Sequence, residues 1–225
     1  MVHDPAADVT ARPGESALHD ISILLRRGTP EWPGDTPFDC RWTCRISDGA
    51  SVNLSATEGS PHVGTHADAP LHVRDGWPAS DALPLHPFVG PCLVADVRGC
   101  ARTIELEQLG LPDDQSVERV LLMTGRTIAD GAFPTAWPAL SARCVDALVR
   151  RGLLLLAVDC PSVDDRESKT LDIHQCLFAG GAFVMENLDL RDVPPGRHDL
   201  VALPLRVEGL DAAPVRAALR LRPGA

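Results

Sequence analysis

The chain has no long apolar run. No stretch of its 225 residues approaches the ~20 consecutive apolar residues of a membrane span. Its first residues, MVHDPAADVTARPGESA, lack the basic start and following apolar segment of a secretory signal. A cytoplasmic location is therefore expected. Positive charge is also scarce: Lys and Arg number 21 against 31 Asp and Glu, a formal net charge of −10. Non-specific binding to nucleic acid or to an anionic membrane needs basic patches, so neither partner is expected, and a small-molecule substrate is. Paired cysteines are missing too. The seven cysteines are odd in number and scattered, unlike a secreted disulfide framework. The closest two, Cys40 and Cys44, have no second Cys/His pair at finger-like spacing, so reduced cysteines in a sheet are expected. No internal repeat, coiled-coil heptad or interdomain linker is visible.

What is present fits a globular domain: 44% of residues are apolar and 23% charged. Residues 1–17, rich in Pro, Gly, Ala and charge, read as a disordered extension, and residues 18–225 as one domain whose fold begins at ALHDISILL. FDCRWTCRI and SVNLSAT alternate as strands do, and PCLVADV and ERVLLMTG are short apolar runs. LLLLAVD is apolar throughout, as a strand covered on both faces would be. SARCVDALVRRG reads as a helix with Ser141 as N-cap and Gly152 as stop. SKTLDIHQCLFAGG is a second helix, followed by the strand AFVMEN, and TIELEQLG a short third helix. The class expected is α/β, a single strand-rich domain. Rigid proline-rich loops project Trp32 and Trp137, both candidates for pocket walls, although Trp137 reads equally well as core packing.

The chemistry concentrates in SPHVGTHADAPLHV, residues 60–73, where three of the chain's eight histidines fall within eleven positions. His62 and His66 are four apart, but Pro61, Gly64 and Pro70 oppose a helix. Read as extended chain, His62, Gly64, His66, Asp68, Pro70 and His72 share one parity and one face. Imidazoles and a carboxylate on one face suit a divalent transition metal, zinc first. His174 and Glu186 lie on a helix and a strand joined through Gly180-Gly181, a turn that can bring the two together. Asp159, at the end of LLLLAVD, is a candidate for supporting the site. His3, His19, His86 and His198 have no partner motif and read as structural or exposed.

HVGTHADAPLH fits the H-x-G-T/A-H-x-D-A-P-x-H signature of the cyclase-like metal hydrolases. Within them, PEWPGDTP, DDRESKTLDIH and RHDLVALPLRVEGLDAAPVRAALR resemble segments of the bacterial kynurenine formamidases. The resemblance covers roughly residues 18 to 222. It implies an α/β domain built around a β-barrel-like sheet flanked by helices (the cyclase-like swivelling β/β/α fold), usually as a homodimer. It also implies a binuclear zinc site, two Zn2+ per subunit with Mn2+ as the alternative metal. By matching motifs, the implied ligands are His62, His66, Asp68, His174 and Glu186, with Asp68 shared. His72 falls on the catalytic acid/base position and Trp32 on the substrate-contacting tryptophan. The reaction implied is hydrolysis of N-formyl-L-kynurenine to L-kynurenine and formate, in tryptophan breakdown. MTGRTIADGAFPTAWPALS and HQCLFAGGAFVMEN depart from that pattern in segments expected to line the pocket. The rival expectations are a related hydrolase opening a cyclic amide such as isatin, and a non-catalytic, metal-stabilised binding protein.

Overall fold

Val120 and Leu122 point to one face of the strand Arg119–Met123 and Leu121 and Met123 to the other, and all four are buried. Leu155 to Val158 repeat the pattern, with Leu156 and Val158 in one apolar cluster and Leu155 and Ala157 in a second. These strands are covered on both faces, as their unbroken apolar sequence requires.

The computed structural model describes residues 18–111 and 116–222; the extension expected at residues 1–17 lies outside the described residues. Nine strands form one mixed sheet in the order β1 (Leu18–Asp20), β13 (Ala218–Arg220), β11 (Gly196–Val201), β5 (Val89–Asp96), β7 (Arg119–Met123), β9 (Leu155–Val158), β10 (Phe183–Glu186), β4 (His66–Asp68), β12 (Ala212–Pro214). β5, β7, β9 and β10 run parallel to one another, and the remaining pairings are antiparallel. β12 ends this order and β13 is second from its other end, yet only Val215, Arg216 and Ala217 join them. In a flat sheet the seven spacings between them would amount to about 34 Å, several times what three linking residues can bridge. The sheet therefore curls into a half-barrel.

Two α-helices pack on the same face among the described residues. α1 (Ala142–Arg150) begins at Ser141, whose hydroxyl accepts the N–H of Cys144, and buries Val145 and Leu148. α2 (Asp172–Ala179) ends at Gly180-Gly181 and leads into β10. β2 (Asp39–Cys44) and β3 (Leu54–Glu58) form a separate hairpin with most of both faces exposed. The helix expected over 103–110 does not form. Thr103–Ile104 (β6) pair instead with Ala139–Leu140 (β8), and Leu106–Leu109 make a single 3-10 turn closed by Gly110 at φ 62°. The seven cysteines are free. No helix among the described residues is long and apolar enough to cross a membrane.

Candidate metal centre and its pocket

Sheet register assembles the first half of the site. β4 pairs with β10 so that His66 stands opposite Glu186 and Asp68 opposite Val184. Ala67, between them, enters the apolar cluster on the far face. His66, Asp68 and Glu186 thus share the face that α2 covers, and α2 supplies His174. The glycine turn after α2 works as expected: His174 Nε2 lies 3.3 Å from Glu186 Oε1.

Residues 62–72 reach their positions differently from the expected extended run. Only His66–Asp68 form a strand. Gly64 adopts φ 75°, in the left-handed region, and Pro70–His72 form a 3-10 turn. A β-carbon on Gly64 would stand 2.5 Å from Leu25 Cδ2. The three histidines therefore converge by turning around the strand, not by sharing its parity.

Three groups of potential ligand atoms result among the described residues; His62, His72 and Asp211 make one, and the other two both include Asp68. In the first of these two, His62 Nδ1 lies 3.1 Å from both His66 Nε2 and Asp68 Oδ1, and His66 Nε2 lies 3.3 Å from Asp68 Oδ1. In the second, His174 Nε2 lies 3.1 Å from Asp68 Oδ2 and 3.3 Å from Glu186 Oε1. A tetrahedral ligand shell with bonds of ~2.1 Å has ligand–ligand edges of about 3.4 Å, so both groups have the size of a metal's coordination shell. Asp68 is fully buried, and its Oδ1, although near two imidazoles, makes no hydrogen bond. A buried carboxylate oxygen without a donor is costly, and a cation shared with the neighbouring nitrogens would offset that cost. The residues fit a metal.

The ring nitrogens facing away from the groups are also held. His66 Nδ1 is 2.9 Å from the Gly64 carbonyl, which can only accept, so Nδ1 carries the proton and Nε2 offers its lone pair. His174 Nδ1 is 2.6 Å from Asp164 Oδ2, and His62 Nε2 is 3.0 Å from Asp211 Oδ2. The N–H of Val163 donates to Glu186 Oε1 at 2.8 Å. Burial alone would lower the His62 pKa, but the Asp211 and Asp68 carboxylates outweigh it and push it up to about 10. His174 is likewise raised well above the ordinary value against its burial, by Asp164, Asp68 and Glu186. Burial would raise Asp68, but the surrounding imidazoles, His66 foremost, hold it well below the carboxylate range.

These groups floor a cavity of about 640 Å³. His72 stands in its wall, with Nδ1 3.3 Å from Asp211 Oδ2 and its ring 4.4 Å from that of His62. Trp32, 39% exposed, forms the aromatic side with Phe133, the two rings meeting edge to face at 5.4 Å. Leu171 at φ 49° and Asn187 at φ 57° also line it, and backbone strain of this kind gathers at functional sites.

Some expectations need correction. Trp137 is no pocket wall: it is buried, supports Trp32 from below, and donates its indole N–H to the Asp164 carbonyl at 2.8 Å. Asp159 does not reach the cluster. It takes the N–H groups of Thr124 and Gly125, both at 2.9 Å, and the Thr124 hydroxyl, and burial raises its pKa. The segment containing Thr124 meets the pocket through Phe133. His86 is exposed, and His198 is buried with Nε2 2.8 Å from the Pro194 carbonyl, a structural role as expected. His3 lies outside the described residues. Asp164 and Asp211 were missed. Asp164 stands ten residues before His174 and Asp211 139 residues after His72, and no spacing rule links either pair.

The Cyclase family model matches residues 19–165. The chain belongs to that family. It is 44% identical over 209 residues to the kynurenine formamidase of Salinibacter ruber, covering 92% of this chain and 99% of that protein. It is 41% identical over 203 residues to the kynurenine formamidase of Bordetella avium, covering 90% and 97%. Among solved structures, it is similar to one described as a "predicted metal-dependent hydrolase" from Bacillus stearothermophilus, with TM-score 0.76, 28% identity and 90% and 97% coverage. An isatin hydrolase from Ralstonia solanacearum, at 17% identity, TM-score 0.73 and 90% and 91% coverage, shares the fold.

Proposed function

We propose that this chain is a metal-dependent hydrolase of aryl formamides, converting N-formyl-L-kynurenine and water to L-kynurenine and formate. The observation that carries the reading is the pair of ligand groups joined through Asp68 on the floor of an aromatic-walled pocket, in a chain 44% identical to a kynurenine formamidase. His62, His66 and Asp68 would hold one divalent ion, and Asp68, His174 and Glu186 a second; imidazole and carboxylate donors favour zinc, with manganese the alternative. When bound, such ions supply a water of lowered pKa and a Lewis acid for the formyl carbonyl.

The chain's own residues supply the remainder. Trp32 and Phe133 pack against the substrate's aromatic ring, which directs the formamide to the pocket floor. His72, in the wall beside the ligand groups, takes a proton from water and returns it to the amine nitrogen as the C–N bond breaks. Because a formyl carbon bears only hydrogen, a crowded floor admits it and rejects bulkier acyl groups. The site is built from buried carboxylates and leaves His72 over, which supports catalysis above a purely structural metal.

The working unit proposed is a homodimer. Trp42, Ile46, Val52 and Leu54 on the β2–β3 hairpin are exposed large apolar side chains, and cover by a second copy would bury them. The test of function is the loss of N-formyl-L-kynurenine absorbance with purified, zinc-loaded protein. Turnover removed by a chelator and restored by zinc is expected. No turnover with metal bound, together with opening of isatin, would transfer the chemistry to cyclic amides.

A further inference from the structure

The reaction outlined above gives Asp211 no part, yet Asp211 touches two of its members. Its Oδ2 lies 3.0 Å from His62 Nε2 and 3.3 Å from His72 Nδ1. Sheet register puts it there. β12 pairs with β4 so that Ala212 stands opposite Asp68, and the Asp211 carbonyl accepts the N–H of Ala69 at 2.8 Å. The chain just before it is fastened as well. Ser80 donates its N–H to the Leu210 carbonyl at 2.8 Å and its hydroxyl to the Val207 carbonyl at 2.7 Å. Gly209 N–H donates to Asp81 Oδ1 at 3.0 Å. A backbone held on both sides presents one carboxylate oxygen to two imidazoles.

We propose that Asp211 is the positioning residue of this site, fixing the tautomer and orientation of His62 and His72 together. An ionised carboxylate only accepts, so each ring must turn an N–H towards it. For His62, once its second proton is displaced, this leaves the Nδ1 lone pair facing His66 Nε2 and Asp68 Oδ1. For His72 it leaves Nε2, which has no hydrogen-bond partner among the described residues, free on a ring that lines the pocket. Without Asp211 either ring can rotate or carry its proton on the nitrogen that the site needs bare. The His72 half rests on the formamidase reading, and the His62 half does not.

The test compares wild type with Asp211→Asn, which keeps the volume and loses the charge, and with Asp211→Glu. Zinc affinity is measured by calorimetry, steady-state turnover at saturating zinc, and histidine tautomers by 15N NMR of the zinc-loaded protein. In Asp211→Asn the expected results are zinc affinity weaker by about 10–100-fold, kcat lower by a similar factor, and KM little changed. His72 should change from one Nδ1–H tautomer to a mixture, and Asp211→Glu should recover part of the zinc affinity. Unchanged zinc affinity with an unchanged His72 tautomer would overturn the proposal. So would loss of a whole equivalent of zinc at saturation, which would make Asp211 a ligand. If wild type proves inactive on N-formyl-L-kynurenine, affinity and tautomer still decide the role of Asp211.

Discussion

Asp164 serves His174 twice: its Oδ2 lies 2.6 Å from His174 Nδ1, and its carboxylate accepts the backbone N–H groups of Ile173 and His174 at 3.0 and 3.1 Å. α2 begins at Leu171, which offers no side-chain cap. Asp164 supplies the missing acceptor from a neighbouring loop and, with the same group, aims the imidazole at the Asp68–Glu186 group. Asp164→Asn should therefore lower metal affinity by about 10–100-fold. Asp164→Ala should in addition cost about 1 kcal/mol of stability, the value of a helix cap. Metal titration and thermal unfolding check both, and a loss of stability alone would reduce Asp164 to a cap.

The raised histidines set a pH dependence. His62 titrates near 6.5 in an unfolded chain and at about 10 in the metal-free fold. Its protonated pairing with carboxylates stabilises the fold fully below 6.5, and that contribution is lost as pH rises through about 10. Metal-stripped protein should accordingly unfold at lower temperature as pH climbs across this range. A metal must also displace the proton, so zinc affinity should rise with pH over the same range. Calorimetry in buffers of different ionisation heat should show proton release at pH 7; none would mean that the rings are already neutral.

His72→Ala separates proton transfer from metal holding. Turnover should fall by at least about 100-fold, the lower end for a general acid–base group, while bound metal stays at the wild-type level. Metal analysis beside the assay reads the result. Loss of metal would make His72 a ligand, and wild-type turnover would remove it from the chemistry.

Gly64→Ala tests the turn before β4. At φ 75° an alanine costs about 1–2 kcal/mol, and Leu25 would have to turn aside. Since the Gly64 carbonyl holds His66 Nδ1, zinc affinity should fall together with the unfolding temperature. Unaltered zinc binding would show that His66 does not need this anchor.

The sequence made some of this legible and hid the rest for physical reasons. The doubly covered strands β7 and β9 announce themselves because apolar runs leave no other placement, and the N-cap of α1 at Ser141 and the left-handed stop after it at Gly152 are local chemistry. The histidine cluster stands out by density alone. Its route does not: parity over residues 62–72 suggested an extended chain, whereas Gly64 breaks it with a left-handed turn. Thr103–Gly110 has helical composition, but pairing with Ala139–Leu140 prevails over local propensity. The contact of Asp211 with His72 depends on how β12 registers against β4, a long-range pairing that a local pattern does not encode.

The edge of the sheet also governs what the molecule offers to other chains. Its edge strand β12 is three residues long and ends at Pro214, which has no N–H to give. A short edge blunted by proline is a poor template for strand addition, which guards that side of the nine-stranded sheet against edge-to-edge aggregation.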